Sequence, residues 1–159
     1  MLPNLRLRDG RVAHIRQLTM EDGPQVEAFV AGLSPQSRYA RFFSAVTGLT
    51  PQRLGALLAG RSVGAFAADG RLVAHAQYVL AGAEAELAVV VSEAWRRNRM
   101  GEALLGLLKE NAAKAGAQAL SGLMLADNQA MRRLASKLGF ALTRSADATL
   151  LRFELKLLA

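Results

Sequence analysis

The chain has 159 residues, 52% hydrophobic and 21% charged, with no cysteine. That is enough for one domain with a real core and too apolar for disorder, and it excludes disulfides and thiolate chemistry, leaving the cytosol as the default compartment. No apolar run approaches the ~18 residues of a membrane span, and Met1 to Arg8 lacks the apolar stretch of a secretory signal.

In chain order, Leu5–Arg8 and Val12–Arg16 flank Asp9-Gly10, a hairpin signal. Thr19 is the expected N-cap of a helix with Glu21 and Asp22 in its first turn and Val26, Phe29, Val30 and Leu33 on one face. Ser34-Pro35 opens a second helix through Phe43, and Thr50-Pro51 a third ending near Gly60. The period then changes to that of strands. Val63–Ala68 and Leu72–Leu80 form a hairpin across Asp69-Gly70, Gly82 breaks it, and Glu84–Ser92 follows. A helix over 100–115 buries Leu104, Leu105, Leu108 and Ala112. After a strand at Leu120–Leu125, Asp127 or Asn128 caps a helix that stops at Gly139. Strands at Phe140–Thr143 and Thr149–Leu157 close the chain, with no internal repeat or linker. The expected fold is α/β: a mixed, mostly antiparallel twisted sheet of 6–7 strands flanked by about four helices.

The chemistry concentrates where the strand Glu86–Val91 runs through Arg96-Arg97-Asn98-Arg99 into a helix opening at Gly101. A helix N-terminus presents unpaired N–H groups and about +0.5 of charge, and arginines add forked donors. This is what a pyrophosphate-bearing ligand needs. A surface turn with solvated arginines and a glycine kept for helix packing reads the same residues equally well. Neither a Walker A nor a G-x-G-x-x-G pattern is present, which disfavours ATP and NAD. Glu86 shares its face with Ala88 and Val90, surroundings that would raise its pKa toward neutrality and suit a general base. The other reading is an edge carboxylate at the solvated strand start. Asn128 is an N-cap, or its amide touches the same ligand. Arg132, Arg133 and Lys137 read as solvated helix positions within reach of a phosphate. Tyr39 suits a substrate mouth, Phe42 and Phe43 the core. His14 and His75 have no partner at metal-ligand spacing, so no metal is expected.

With these residues the chain resembles the GNAT superfamily of acyl-CoA-dependent N-acyltransferases over nearly its whole length. The family pattern Gln/Arg-x-x-Gly-x-Gly/Ala corresponds to Arg96 through Gly101, and Asn-(x)10-Gly-Phe to Asn128 through Gly139-Phe140. Leu33 to Phe43 looks like the acetyltransferase domain of bacterial protein acetyltransferases, here expected as one free-standing domain over 1–159 with its core at 12–157. The resemblance implies an acetyl-CoA donor with no metal, bound by Val89, Val90, Val91, Arg96, Arg97, Asn98, Arg99, Met100, Gly101, Glu102, Ala103, Asn128 and Met131. It implies Glu86 as general base through water, a backbone N–H near Val89 as oxyanion donor, and Tyr39 and Arg38 on the acceptor side. The acceptor would be a protein lysine or a small-molecule amine, and look-alikes frequently dimerise. Two positions depart from the family: Arg99 replaces the first loop glycine, and Ala135 stands where many relatives carry a tyrosine general acid.

Two rival readings remain. Arg99 and Ala135 motivate a catalytically weak acyl-CoA sensor or interaction domain. The net charge of +7 motivates nucleic-acid binding, but basic residues divide as 9 in 1–80 and 11 in 81–159, and the single dense run fits a small phosphate ligand better. For the acceptor, Arg38 and Arg41 favour a molecule carrying a carboxylate.

Overall fold

The computed structural model describes residues 4–44, 48–97 and 99–157. One sheet of eight strands, in the order β1-β2-β3-β4-β5-β6-β8-β7, organises the chain. The strands are β1 (Asn4–Arg6), β2 (Val12–Gln17), β3 (Arg61–Phe66), β4 (Leu72–Ala81), β5 (Glu84–Val91), β6 (Ala119–Leu125), β7 (Ala141–Arg144) and β8 (Leu150–Lys156). Five α-helices pack on it: α1 (Gly23–Gly32), α2 (Pro35–Phe42), α3 (Pro51–Leu58), α4 (Met100–Lys114) and α5 (Gln129–Lys137). The mixed, mostly antiparallel architecture with helices on its faces is as expected, but the sheet holds all eight strands read along the chain rather than 6–7 of them. The short outer strands β1 and β7 are complete members of the sheet.

Two local boundaries differ for identifiable reasons. The first strand ends at Arg6 because Leu7 to Gly10 turns, with Gly10 N–H donating to Leu7 O at 3.0 Å and Gly10 at φ 91°. The helix expected from Thr19 is split. Met20–Asp22 is a separate 3-10 turn and α1 starts at Gly23, because Pro24 has no N–H to bond Met20 O and continue the spiral. Asp22 instead accepts Thr19 N–H at 2.8 Å and both Arg16 guanidinium nitrogens at 2.9 and 2.8 Å.

Each face of the sheet has its own core. Leu104, Leu105 and Leu108 of α4 join Ala76, Tyr78 and Leu87 on one face; Val26, Phe29, Val30 and Leu57 from α1 and α3 join Leu72 and Phe66 on the other. Every strand pair is antiparallel except β5 with β6. That parallel pair is short: Glu84, Ala85 and Glu86 meet Ala119, Leu120 and Ser121, and there the pairing stops. Beyond it β6 continues only with β8 and β5 only with β4. The sheet therefore splits, and the split positions the candidate site. Gly122 sits at the vertex, where a Cβ would lie 2.9 Å from Leu87 O and strike the Phe153 ring.

Candidate active site

A cleft of about 1620 Å³ runs through the split, lined by β5, β6, α2 and the first turns of α4 and α5. Its backbone side follows from ladder alternation. Ser92 N–H donates to Val73 O at 2.9 Å, so Val90, Ala88 and Glu86 turn their backbone groups toward β4 and Val89 and Val91 turn theirs the other way. With no strand bonded there, the Val89 N–H and C=O and the Val91 N–H open on the cleft.

The loop after β5 is held by its own arginine. Arg96 Nε donates to Val91 O at 3.0 Å and its Nη2 to Ser37 Oγ at 2.7 Å. Ser37 Oγ donates in turn to Glu93, which also accepts the Ser34 hydroxyl at 2.9 Å. Burial works to raise Glu93, but these donors outweigh it and hold its carboxyl below the ordinary value. The network ties the N-terminus of α2 to the loop. Arg96 thus holds the loop's shape as well as supplying charge near the cleft. Arg97 and Arg99 both sit in the left-handed region, at φ 62° and 66°. Arg99 is the N-cap of α4, with no side-chain cap bond, so the first-turn N–H groups of Met100, Gly101 and Glu102 are uncapped and border the cleft. Asn98 lies outside the described residues.

Several expected contacts resolve differently. Ala103 is not at the cleft: its N–H is the first to find an intrahelical partner, Arg99 O at 3.0 Å. Arg38 is turned away, donating to Leu33 O at 2.6 Å and Ala31 O at 3.3 Å, because its place on α2 faces the end of α1. Tyr39, one residue on, is exposed at the cleft mouth. Gly101 packs against α5, where a Cβ would lie 3.2 Å from Leu134. Asn128 is the α5 N-cap, its Oδ1 accepting Met131 N–H at 3.1 Å, and both residues line the cleft. Trp95 is buried under Arg11, whose guanidinium lies 3.8 Å from the ring centroid.

Glu86 reaches the cleft at the last rung before the split, opposite Ser121 on one side and Val79 on the other. It is exposed. The apolar enclosure expected from Ala88 and Val90 on its face is missing, because both are only half-buried and Val79 opposite is itself exposed. Sequence reading missed two polar groups beside it. Ser121 is fully buried with an unpartnered hydroxyl, and nothing in a short strand singles out one serine. Gln77 is buried two residues from Val79 on β4. His75, Gln77 and Ser62 cap the end of α3: His75 bonds Leu57 O at 2.8 Å, Gln77 donates to Ala56 O at 2.9 Å and Ala59 O at 3.1 Å, and the Ser62 hydroxyl meets Leu57 O at 2.8 Å. His75 is therefore structural. Burial, reinforced by the Arg41 charge against the Leu57 bond, pushes it down to about 4. Among the described residues no group of three or more His, Cys, Asp or Glu could hold a metal ion, and no helix is long and apolar enough to cross a membrane.

Residues 34–140 match the Acetyltransferase (GNAT) family. The chain belongs to this family. Its fold matches the GNAT domain of S. lividans PAT with a TM-score of 0.91 at 24% identity, covering 98% of this chain and 97% of that one. The acetyltransferase of GNAT family from Streptococcus pneumoniae matches with a TM-score of 0.72 at 19% identity, covering 91% and 99%. The cAMP-binding acyltransferase from Mycobacterium smegmatis matches with 0.65 at 22%, covering 98% of this chain and 47% of that one. A search of curated proteins finds no match. In this GNAT chain, the position of the first loop glycine needs positive φ, and Arg99 adopts it. Ala135 is fully buried in the core with α4.

Proposed function

We propose that the protein transfers an acetyl group from acetyl-CoA to a primary amine. Family membership makes it an acyltransferase fold. The observation that supports the specific reaction is the end of the β5–β6 pairing at Glu86, which leaves a backbone-lined channel between the α4 N-terminus and a carboxylate. The pyrophosphate belongs at the uncapped N–H groups of α4 beside Arg97 and Arg99, and the pantetheine arm on the open edge of Val89 and Val91. Glu86 takes a proton from the acceptor ammonium through a water, with the Ser121 hydroxyl as a second partner for it. The neutral nitrogen then bonds to the thioester carbonyl carbon while the Val89 N–H receives the developing oxyanion. The C–S bond breaks, the nitrogen gives up its second proton to water and keeps the acetyl group as the neutral amide, and the sulfur leaves as a thiolate, a good leaving group that needs no tyrosine at position 135. The acceptor is a protein lysine or a small-molecule amine.

Calorimetric titration with acetyl-CoA and dephospho-CoA, followed by transfer assays on an amine and lysine-peptide panel, tests this. Micromolar acetyl-CoA binding with transfer to at least one amine is expected. No binding at millimolar ligand overturns it. Strained Arg99 and buried Ala135 favour a second reading, an acyl-CoA sensor, which predicts tight binding with no transfer to any member of the panel.

A further inference from the structure

Arg41 is the one feature of the acceptor wall that neither the acyl-transfer chemistry nor the packing accounts for. It leaves the last turn of α2 and lines the cleft. Its Nη2 donates to Gln77 Oε1 at 2.9 Å, and its Nε is buried without a partner. No carboxylate lies within ion-pair distance of it among the described residues. The Phe42 ring lies 5.2 Å away, and the His75 imidazole is close enough to feel the Arg41 charge. Burying a cation without an anion is unfavourable, and burial pushes Arg41 down to about 10.

The guanidinium is also aimed. Gln77 spends its NH2 on the carbonyls of Ala56 and Ala59, so its amide has one orientation and its oxygen faces Arg41. The end of α3 thus fixes Gln77, and Gln77 fixes Arg41. On the same face, Gln77 precedes Val79 by two residues, and Val79 pairs with Glu86. Two residues of strand rise by roughly 7 Å. A small acceptor can therefore touch both the carboxylate of Glu86 and the cation held on Gln77.

We infer that Arg41 receives a carboxylate carried by the acyl acceptor, so that the favoured acceptor is a small amino acid with its amine at Glu86 and its carboxylate on the Arg41 guanidinium. A carboxylate rather than a dianionic phosphate fits a single planar fork. Arg38, which sequence alone paired with Arg41, takes no part, being committed to α1. This inference rests on the amine-acetylation reading, and its test separates the two.

The full chain is assayed with acetyl-CoA and matched acceptors: glycine, β-alanine, 4-aminobutyrate and 5-aminopentanoate, each against its carboxamide. Lysine peptides with and without a neighbouring aspartate form a further arm. The acid of the best-fitting length is expected to exceed its amide by about 10- to 100-fold in kcat/KM, mainly through KM, the scale of a charge-assisted desolvated contact. Arg41→Gln is expected to erase that preference and Arg41→Lys to restore part of it, with folding checked by thermal unfolding. The N-acetyl products of the same acids and amides are titrated in parallel by calorimetry, which needs no turnover. Transfer to amides as well as to acids, or an acid preference that survives Arg41→Gln, overturns the inference and leaves amine acetylation standing. Transfer to lysine peptides regardless of aspartate, with no amino acid accepted, overturns it likewise. Arg41-dependent binding of the acetylated acids with no transfer to any amine keeps the subsite and removes the acetylation reading.

Discussion

The two walls of the cleft are built from different materials. The wall proposed for the acyl donor, the donor wall, is largely backbone: uncapped N–H groups at the start of α4, the open edge of Val89 and Val91, and a loop forced through two left-handed arginines. The wall proposed for the acceptor, the acceptor wall, is side chains borrowed from distant segments: Tyr39 and Arg41 from α2, Gln77 from β4, Glu86 from β5 and Ser121 from β6. A backbone wall tolerates sequence change as long as the conformation survives, and Arg99 in place of glycine is such a change. A side-chain wall has no such tolerance, because each group is placed by another: Arg41 by Gln77, and Gln77 by α3.

That contrast is sharpest at Glu86, where the walls meet. Glu86→Gln is expected to lower kcat at least ~10²-fold, the scale of a lost general base, while acetyl-CoA affinity measured by calorimetry stays within about twofold. Unchanged turnover across pH would take Glu86 out of the mechanism.

The next effect belongs to the support behind the acceptor wall, where His75 and Gln77 both bond the end of α3. The unfolded chain protonates His75 near its ordinary 6.5, but the folded chain refuses that proton until about 4. The unfolded state therefore binds more protons within this window, and stability falls as pH drops from about 6.5 toward 4, by roughly 2–3 kcal/mol. Asp22 adds its own loss only below its unfolded value of 3.8, since Arg16 holds it down to about 2. Chemical denaturation across pH should show the His75 slope, and His75→Gln should flatten it. An unchanged slope would assign it elsewhere.

On the donor wall, Arg99→Gly removes left-handed strain at a small cost in chain entropy, and a gain of about 0.5–1 kcal/mol is expected in thermal unfolding. A loss instead would mean that the Arg99 side chain itself holds the loop. The smallest effect is expected where the walls end. Lys137 bridges α5 to Glu102 of α4 at 3.0 Å, with side chains 60% and 34% exposed. Lys137→Ala should change stability by no more than ~0.5 kcal/mol, and a double-mutant cycle with Glu102→Ala checks the coupling.

Legibility followed the same division. The strand–loop–helix run from Glu86 to Gly101 and the Asn128 cap are local features, so the sequence showed their backbone form, while spacing alone left a binding loop and a surface turn equally open. The hairpin at Asp9-Gly10, the proline-opened α2 and α3 and the Gly139 stop were local signals, and they held. Arg38 and Arg41 looked equivalent in sequence, three residues apart on one helix. Their opposite fates depend on α1 lying beside one and Gln77 beside the other. The exposure of Glu86 and the burial of Ser121 were likewise invisible to strand alternation.

The sequence by itself determined the order of elements, the apolar faces and the backbone motif of the donor wall, because turns, caps and periodicity are settled by neighbours within a few residues. Only the tertiary structure decided where β5 leaves β6, which arginine enters the cleft and what surrounds the carboxylate. Those outcomes depend on contacts between segments tens of residues apart, and no local propensity encodes them.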